Sequence, residues 1–355
     1  MRLNYFCYFR AIAIVLIVAG HSFQPWSMNN TIPEMMIANI IIGGTSFFVF
    51  ISGFFFHFVF YQNFNYKRFI VKKSKALLIP YLLLSFIGFF FILSFLDLQP
   101  HHLIYETNTI FNSLILFSKY LWTGNTLLAY WYIPFIMVIF LISPIFLFYI
   151  ELSIKQQIII FIIMLAISMI IHRPSHEIAY RTTYFLFTIH SVIYFLPIYL
   201  LGIIFSLQKV IILKFIKNKA YILGLAVLLL SYIQITYYGF YYNFTKKVIF
   251  SYNGIDILII QKILLIFFIL SLLQKIDHIE IPLLKYLASI SFAIFFLHSF
   301  VILFIDSFSL IEYIDFLPGI IIFAIRTVFT IAISIGIAIL LKRLLEKKSS
   351  YIIGW

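Results

Sequence analysis

The sequence predicts an all-α, polytopic membrane protein with about ten transmembrane helices and both termini in the cytoplasm. Three observations carry that expectation. Of the 355 residues, 64% are hydrophobic and only 10% charged, with mean hydropathy +1.09, whereas a soluble globular chain has about 25% charged residues. The apolar runs are long and continuous, unlike the alternating ~10-residue segments of an outer-membrane barrel. The basic residues fall mostly in alternate connections, as the positive-inside rule requires. The formal net charge of +13 then reflects loops facing anionic lipid or an anionic ligand, and no nucleic-acid partner is expected. Cys7 is the single cysteine, which excludes an intramolecular disulfide and a cysteine metal cluster.

Span 1 covers about 9–27. The first twenty residues resemble a signal peptide, but Arg10 interrupts the apolar region and the run continues past Ala19-Gly20, so this reads as a retained span. A polar loop with Asn29, Asn30, Pro33 and Glu34 leads to span 2, about 36–60. Its Gly43, Gly44, Ser46, Ser52 and Gly53 allow close helix approach. The loop 61–76 holds Lys67, Arg68, Lys72, Lys73 and Lys75 and no acid. That places the loop, and with it the N-terminus, in the cytoplasm. Span 3 (about 77–96) precedes a long outer loop, 97–126, with a short interfacial helix expected near 110–120. Span 4 (about 127–149) opens on Tyr130-Trp131-Tyr132, an interfacial aromatic cluster. Spans 5 to 10 follow at about 157–171, 186–207, 220–238, 255–273, 286–305 and 318–341. Lys119, Arg173, Arg181, Lys246 and Lys247 fall outside, and Arg10, Lys262 and Arg326 fall within spans; the other basic residues lie inside. Losing one span would reverse everything after it and spoil this asymmetry. No Gly-, Pro- or Ser-rich linker, heptad array or long hydrophilic stretch interrupts the chain, so residues 1–355 read as one transmembrane domain.

P-loop, GxGxxG, HExxH and GxSxG motifs are absent, and the sequon Asn243-Phe244-Thr245 is too short and common to weigh. Polar residues inside apolar spans are more informative. Arg10 and His21 are eleven positions apart in the stretch 9–22. At 100° per residue that is about 20° past three full turns, so they share a helix face, roughly 16 Å apart. On spacing alone two readings stand. Ionisable residues in a membrane mark a functional site; equally, Arg10 snorkels to the headgroups and His21 is a hydrogen-bonded helix contact. His298 ends the run 289–298, and Ser291, seven residues earlier, shares its face, so the two can line one cavity. His57 reads as a core or interfacial residue, and His190 and His278 as interfacial. His101, His102, His172 and His176 have a spacing that could ligate metal, but no cysteine or carboxylate set completes a site, and no metal is expected.

A buried neutral imidazole can take a proton from a sugar hydroxyl as it attacks a thioester, because its reference pKa near ~6.5 makes both protonation states accessible. A fixed cation on the same face can hold an anionic donor or steady a developing oxyanion. This suffices for acyl transfer within a membrane, although a proton-coupled transporter would use the same residue types.

Several stretches, in order, resemble the acyltransferase-3 family of integral membrane acyltransferases. They are Arg10 and His21 with ten residues between them, FFVFISGFF at 47–55, the basic segment from Lys67-Arg68 to Lys75 running into Pro80-Tyr81, Trp131-Tyr132 with Ser143-Pro144, FLPIYLLG at 195–202, and SISFAIFFLH at 289–298. Lys75 stands where many members have arginine, and span 4 lacks the Trp-Ser-Leu…Glu form of larger members. The resemblance implies about ten helices, acyl-CoA as cytoplasmic donor and O-acylation of an extracytoplasmic carbohydrate. His21 would be the catalytic histidine and Arg10 its essential partner. Lys67, Arg68, Lys72, Lys73 and Lys75 are the candidate residues for the CoA moiety, and Ser52, Trp131, Tyr132, Ser291 and His298 for substrate.

The favoured expectation is an O-acetyltransferase of the bacterial inner membrane. It would use acetyl-CoA as cosubstrate, with no permanently bound cofactor, and modify a lipid-linked or surface polysaccharide such as an O-antigen or capsule. The lipid bilayer is its medium and glycan-assembly machinery a candidate partner. A polysaccharide or small-anion transporter, and a structural subunit of a glycan-assembly complex, are the competing readings.

Overall fold

The structure, a computed structural model, describes residues 4–23, 31–95, 110–173, 184–238, 249–250, 252, 254–308, 312–314 and 316–355. Asn29, Asn30, His101, His102, His176, Glu177, Arg181, Lys246, Lys247 and the sequon lie outside those residues. Among the described residues all regular structure is helical.

The chain runs through α1 (Asn4–Ser22), α2 (Ile32–Ile41), α3 (Thr45–Phe55), α4 (Tyr66–Lys73), α5 (Ile79–Phe95) and α6 (Ile110–Thr123). It continues through α7 (Tyr132–Leu141), α8 (Ser143–Glu151), α9 (Ile154–Ile171), α10 (Tyr184–Leu207), α11 (Lys209–Ile216) and α12 (Ala220–Tyr238). The last helices are α13 (Leu258–Lys275), α14 (Pro282–Ser289), α15 (Ser291–Ser307), α16 (Gly319–Leu345) and α17 (Ser350–Ile353). Among the described residues 8 helical stretches are long and apolar enough to cross a membrane, or 10 if the bent pairs α7–α8 and α14–α15 each count as one. The expected number of spans is met on that count. The segment 61–76, read from the sequence as a loop, is largely helical, with α4 capped by the Asn65 side chain accepting from the Arg68 amide at 2.9 Å.

Each break in a span has a local cause. α7 and α8 meet at 59°, where Pro144 in the first turn of α8 has no N–H to continue the ladder of α7. α14 and α15 meet at 73° across Ile290. There the Ser291 hydroxyl donates to the Ala288 carbonyl at 3.0 Å, a side-chain bond of the kind that bends helices. Between α2 and α3, Gly43 adopts φ +91°, a conformation that favours glycine. The freed end of α2 is met by Lys262 of α13, whose Nζ donates to the Asn39 and Ile40 carbonyls at 2.7 and 2.9 Å. A cation there also complements the negative end of the helix dipole.

The small residues of span 2 act as their placement suggests. Gly53 of α3 and Gly202 of α10 face each other so closely that a Cβ on Gly53 would overlap the Tyr199 carbonyl, and one on Gly202 the Phe50 carbonyl. Backbone-to-backbone contact makes α3 and α10 one rigid wall. Around it pack Phe6, Phe9, Phe47, Phe50 and Phe54, all buried, with Phe6 stacked on Phe54 at 3.9 Å between ring centres.

One end of the bundle gathers the basic segments. The Tyr5 amide at the start of α1 donates to the Asp277 carboxylate at 2.7 Å. The final helix, α17, packs on α5 and on the π-helical turn Ser74–Leu78 that follows α4. We call this the basic end.

Candidate functional site

Arg10 and His21 lie on one stripe of α1, and both reach α15. The Arg10 Nε donates to the Ser291 hydroxyl at 2.7 Å, and its guanidinium carbon lies 4.9 Å from the centre of the Phe292 ring. Three turns further along α1, the His21 ring lies 5.5 Å, centre to centre, from that of His298. Ser291 and His298 are two turns apart on α15. Two helices running in the same direction are therefore joined at two levels, by the pair Arg10 and His21 that shares a face of α1 and the pair Ser291 and His298 that shares a face of α15.

His298 is fully buried, and its Nδ1 lies 3.0 Å from the Ile294 carbonyl oxygen. A carbonyl only accepts, so Nδ1 carries a proton, and in the neutral ring Nε2 presents its lone pair. That Nε2 has no hydrogen-bond partner among the described residues. The imidazole is thus held as a proton acceptor in the interior of the bundle.

Ser52 of α3 and Tyr132 of α7 extend the same site. Their hydroxyl oxygens are 3.4 Å apart. The Tyr132 ring meets Phe295 edge-on at 5.5 Å, and Phe295 lies 6.0 Å from the His298 ring. Arg10 is also within Coulombic reach of Tyr132. Six sequence-expected residues, Arg10, His21, Ser52, Tyr132, Ser291 and His298, therefore converge from α1, α3, α7 and α15.

The basic segment divides into three parts. Arg68 and Lys72 line a cavity of about 200 Å³ at the basic end, with Asn63, Asn65 and the rings of Phe60, Phe64 and Phe69. Lys73 points inward, its Nζ 4.7 to 5.5 Å from the ring centres of Phe60, Phe69 and Phe140. Aromatic faces hold an ammonium without neutralising it. Lys73 is within Coulombic reach of both Lys72 and Arg10, and among the described residues no salt bridge joins any of the three to a carboxylate. A file of like charges therefore runs from the cavity toward Arg10, an arrangement that attracts an anion. Lys67 and Lys75 are exposed and do not line the cavity.

Trp131 lies apart from this site. It packs against Phe135 and Phe195 at 5.5 and 5.6 Å, and the Arg173 guanidinium lies 4.9 Å from its ring centre. His57 contacts the Ser206 hydroxyl through Nδ1 at 2.8 Å, a packed helix contact. His190 differs from expectation. It is buried, with Nε2 on the His172 carbonyl at 2.8 Å and Nδ1 accepting the Phe250 amide at 3.2 Å, because a neighbouring loop covers what the span pattern leaves at an interface. Two polar groups were visible in the sequence only as cations within spans: Lys262, which caps α2, and Arg326, whose Nη2 lies 2.9 Å from the Asp306 carboxylate.

The described helices form a bundle long and apolar enough to cross a membrane many times, with polar side chains from four helices gathered in its interior and cations at one end. A family described as an Acyltransferase domain matches residues 3–339, nearly the whole chain. The chain belongs to this acyltransferase-3 family and is a membrane acyltransferase. No curated protein and no solved structure matches it at a significant level.

Proposed function

We propose that this protein is an O-acetyltransferase of the bacterial inner membrane, moving an acetyl group from cytoplasmic acetyl-CoA to a hydroxyl of an extracytoplasmic surface polysaccharide. The observation that carries the reading is the junction of α1 and α15, where Arg10 meets Ser291 and His21 meets His298, at the end of a file of cations from the basic end.

In this reading the basic end faces the cytoplasm. Arg68 and Lys72 hold the phosphates of the donor, with Lys67 and Lys75 at the rim, and Lys73 and Arg10 continue the positive path inward. Arg10 and His21 are roughly 16 Å apart along α1, too far for a direct dyad. Arg10 serves the donor, and His21, nearer the opposite end, serves the acceptor. His21 takes the proton of the attacking sugar hydroxyl as its oxygen bonds to the thioester carbonyl carbon. The carbon–sulfur bond then breaks, and the proton passes to the departing thiolate. Ser52 and Tyr132 line the passage. No net proton is gained or lost.

The test is transfer of labelled acetyl from acetyl-CoA to glycan, read with the ester content of the surface polysaccharide in cells with and without the protein. Labelled ester that depends on the protein supports the reading. Transport of glycan with no label in any product would replace it with an exporter. Reversing both cavity charges, Arg68→Glu with Lys72→Glu, is expected to raise the KM for acetyl-CoA at least tenfold, about 1.4 kcal/mol. An unchanged KM would remove the cavity from the donor's path.

A further inference from the structure

Lys262, in the membrane-spanning helix α13, is 2% exposed and takes no part in the donor path. Among the described residues no salt bridge joins it to a carboxylate, and Asp256 and Arg173, of opposite sign, are both within Coulombic reach. Its ammonium donates to neutral backbone, the Asn39 and Ile40 carbonyls at 2.7 and 2.9 Å. Burying an ammonium in a membrane is costly, so such a residue is a functional candidate by default. Closing a helix end does not by itself call for one, because a turn on a glycine satisfies the same carbonyls.

The position of those carbonyls shows what the cation holds. They open the elbow 39–44 between α2 and α3. Gly43, at φ +91°, lies against the lysine stem: a Cβ there would come within 2.9 Å of the Lys262 Cε. The same elbow rests on the backbone of α1. A Cβ on Gly44 would come within 3.1 Å of the Ile17 nitrogen and the Leu16 carbonyl carbon. One on Gly20 would lie 3.8 Å from the Ile41 carbonyl oxygen and the Ile42 Cα. Gly20 adjoins His21, and Ile17, four residues before His21, lies on the same helix face. The elbow therefore touches Lys262 through Gly43 and the His21 end of α1 through Gly44 and Ile41.

The hold on the elbow is broader than one side chain. The Gln261 amide nitrogen donates to Asn39 Oδ1, so adjacent residues of α13 grip both the side chain and the carbonyl of Asn39. Ser231 of α12 donates to the Met36 carbonyl at 3.3 Å. The spacing of the His21 and His298 rings, 5.5 Å between centres, depends on where this end of α1 sits. Misplacing a catalytic group by about 1 Å can cost about 10²-fold in rate.

We infer that Lys262 is a positioning residue for acyl transfer: it fixes the 39–44 elbow, and the elbow seats the end of α1 that carries His21. This rests on His21 as the base of the proposed reaction. The experiment uses the full chain in lipid nanodiscs, with radiolabelled acetyl-CoA and alkali-deacetylated surface polysaccharide. Lys262→Met keeps most of the stem and removes both hydrogen bonds. It is expected to lower kcat at least tenfold, with the KM for each substrate within twofold of the parent. Lys262→Arg keeps donors for the two carbonyls and is expected to recover kcat to within threefold. Gly44→Ala leaves Lys262 in place and crowds the α1 backbone; it is expected to lower kcat at least threefold, and it decides alone if Lys262→Met does not insert. Ser271→Ala is the control for general loosening. It removes a buried bond of the same helix, to the Ile216 carbonyl at 2.6 Å, and its kcat should stay within twofold even where its melting temperature falls. Unchanged kcat in the inserted deciding variant overturns the inference and leaves the transferase reading standing. So does a loss of kcat that Ser271→Ala matches at an equal fall in melting temperature, or an effect confined to the KM for acetyl-CoA. If the parent protein labels no glycan, the transferase reading falls and the role of Lys262 with it.

Discussion

Replacing His21 with alanine is expected to lower acetyl transfer by 10²- to 10⁴-fold, the usual contribution of a general base. Protein level and membrane insertion should stay near the parent's, because the ring lies near the end of α1 and is only partly buried. The loss should fall on kcat, since the imidazole acts on the reacting hydroxyl, whereas Arg10→Ala should fall mainly on the KM for acetyl-CoA. The parallel His298→Ala variant separates the two rings. Its Nδ1–H is committed to Ile294, which leaves Nε2 to accept a proton from the acceptor or from His21. Transfer within twofold of the parent in an inserted His21→Ala protein would reassign the base, and His298 would be the first group to take the role.

The second large effect is on stability. Gly202→Ala should destabilise the protein by about 1–3 kcal/mol or more, the cost of overpacking a close contact. Its methyl group meets the Phe50 carbonyl and the Phe54 amide, both main chain, so no side-chain rotation relieves it. Gly53→Ala should behave alike against Tyr199. Both should also slow transfer, because Ser52 neighbours the contact. Gly336→Ala is the control: nothing lies within 4 Å of the added carbon, so the change should be neutral or slightly stabilising through helix propensity. Thermal melting of the three purified variants makes the comparison. Equal melting temperatures would mean that α3 and α10 part without cost.

The helical class and the number of candidate spans were legible because hydropathy is a strong, local signal in a membrane protein. Much of the candidate site's geometry was legible too, because its spacings are near-integral in helical turns: eleven residues from Arg10 to His21 and seven from Ser291 to His298. Neighbours were harder to separate. Trp131 and Tyr132 read as one cluster, yet adjacent residues on a helix point about 100° apart; Tyr132 faces Ser52 while Trp131 faces Phe195. The five cations from Lys67 to Lys75 were grouped for the same reason. Once residues 66–73 are known to be helical, Arg68 and Lys72, four apart, are the pair that shares a face and a cavity. The partner of Gly53 could not be read at all, because nothing local in the sequence says which helix crosses it. The same holds for Lys262, whose role depends on a helix end more than two hundred residues away.

The bend at Ile290 sets a gear ratio for the site. Ser291 is one residue beyond that joint and His298 eight, or roughly 1.5 and 12 Å along the axis. A tilt of α15 by about 5° about the joint would carry His298 by about 1 Å and Ser291 by only about 0.1 Å, given ~1.5 Å per residue. The opposite wall, locked backbone to backbone at Gly53 and Gly202, cannot follow. The grip of Arg10 on Ser291 and the gap between the two imidazoles are therefore mechanically decoupled. In the proposed function, such a tilt would change the spacing of the His21 and His298 rings while Arg10 stays on Ser291.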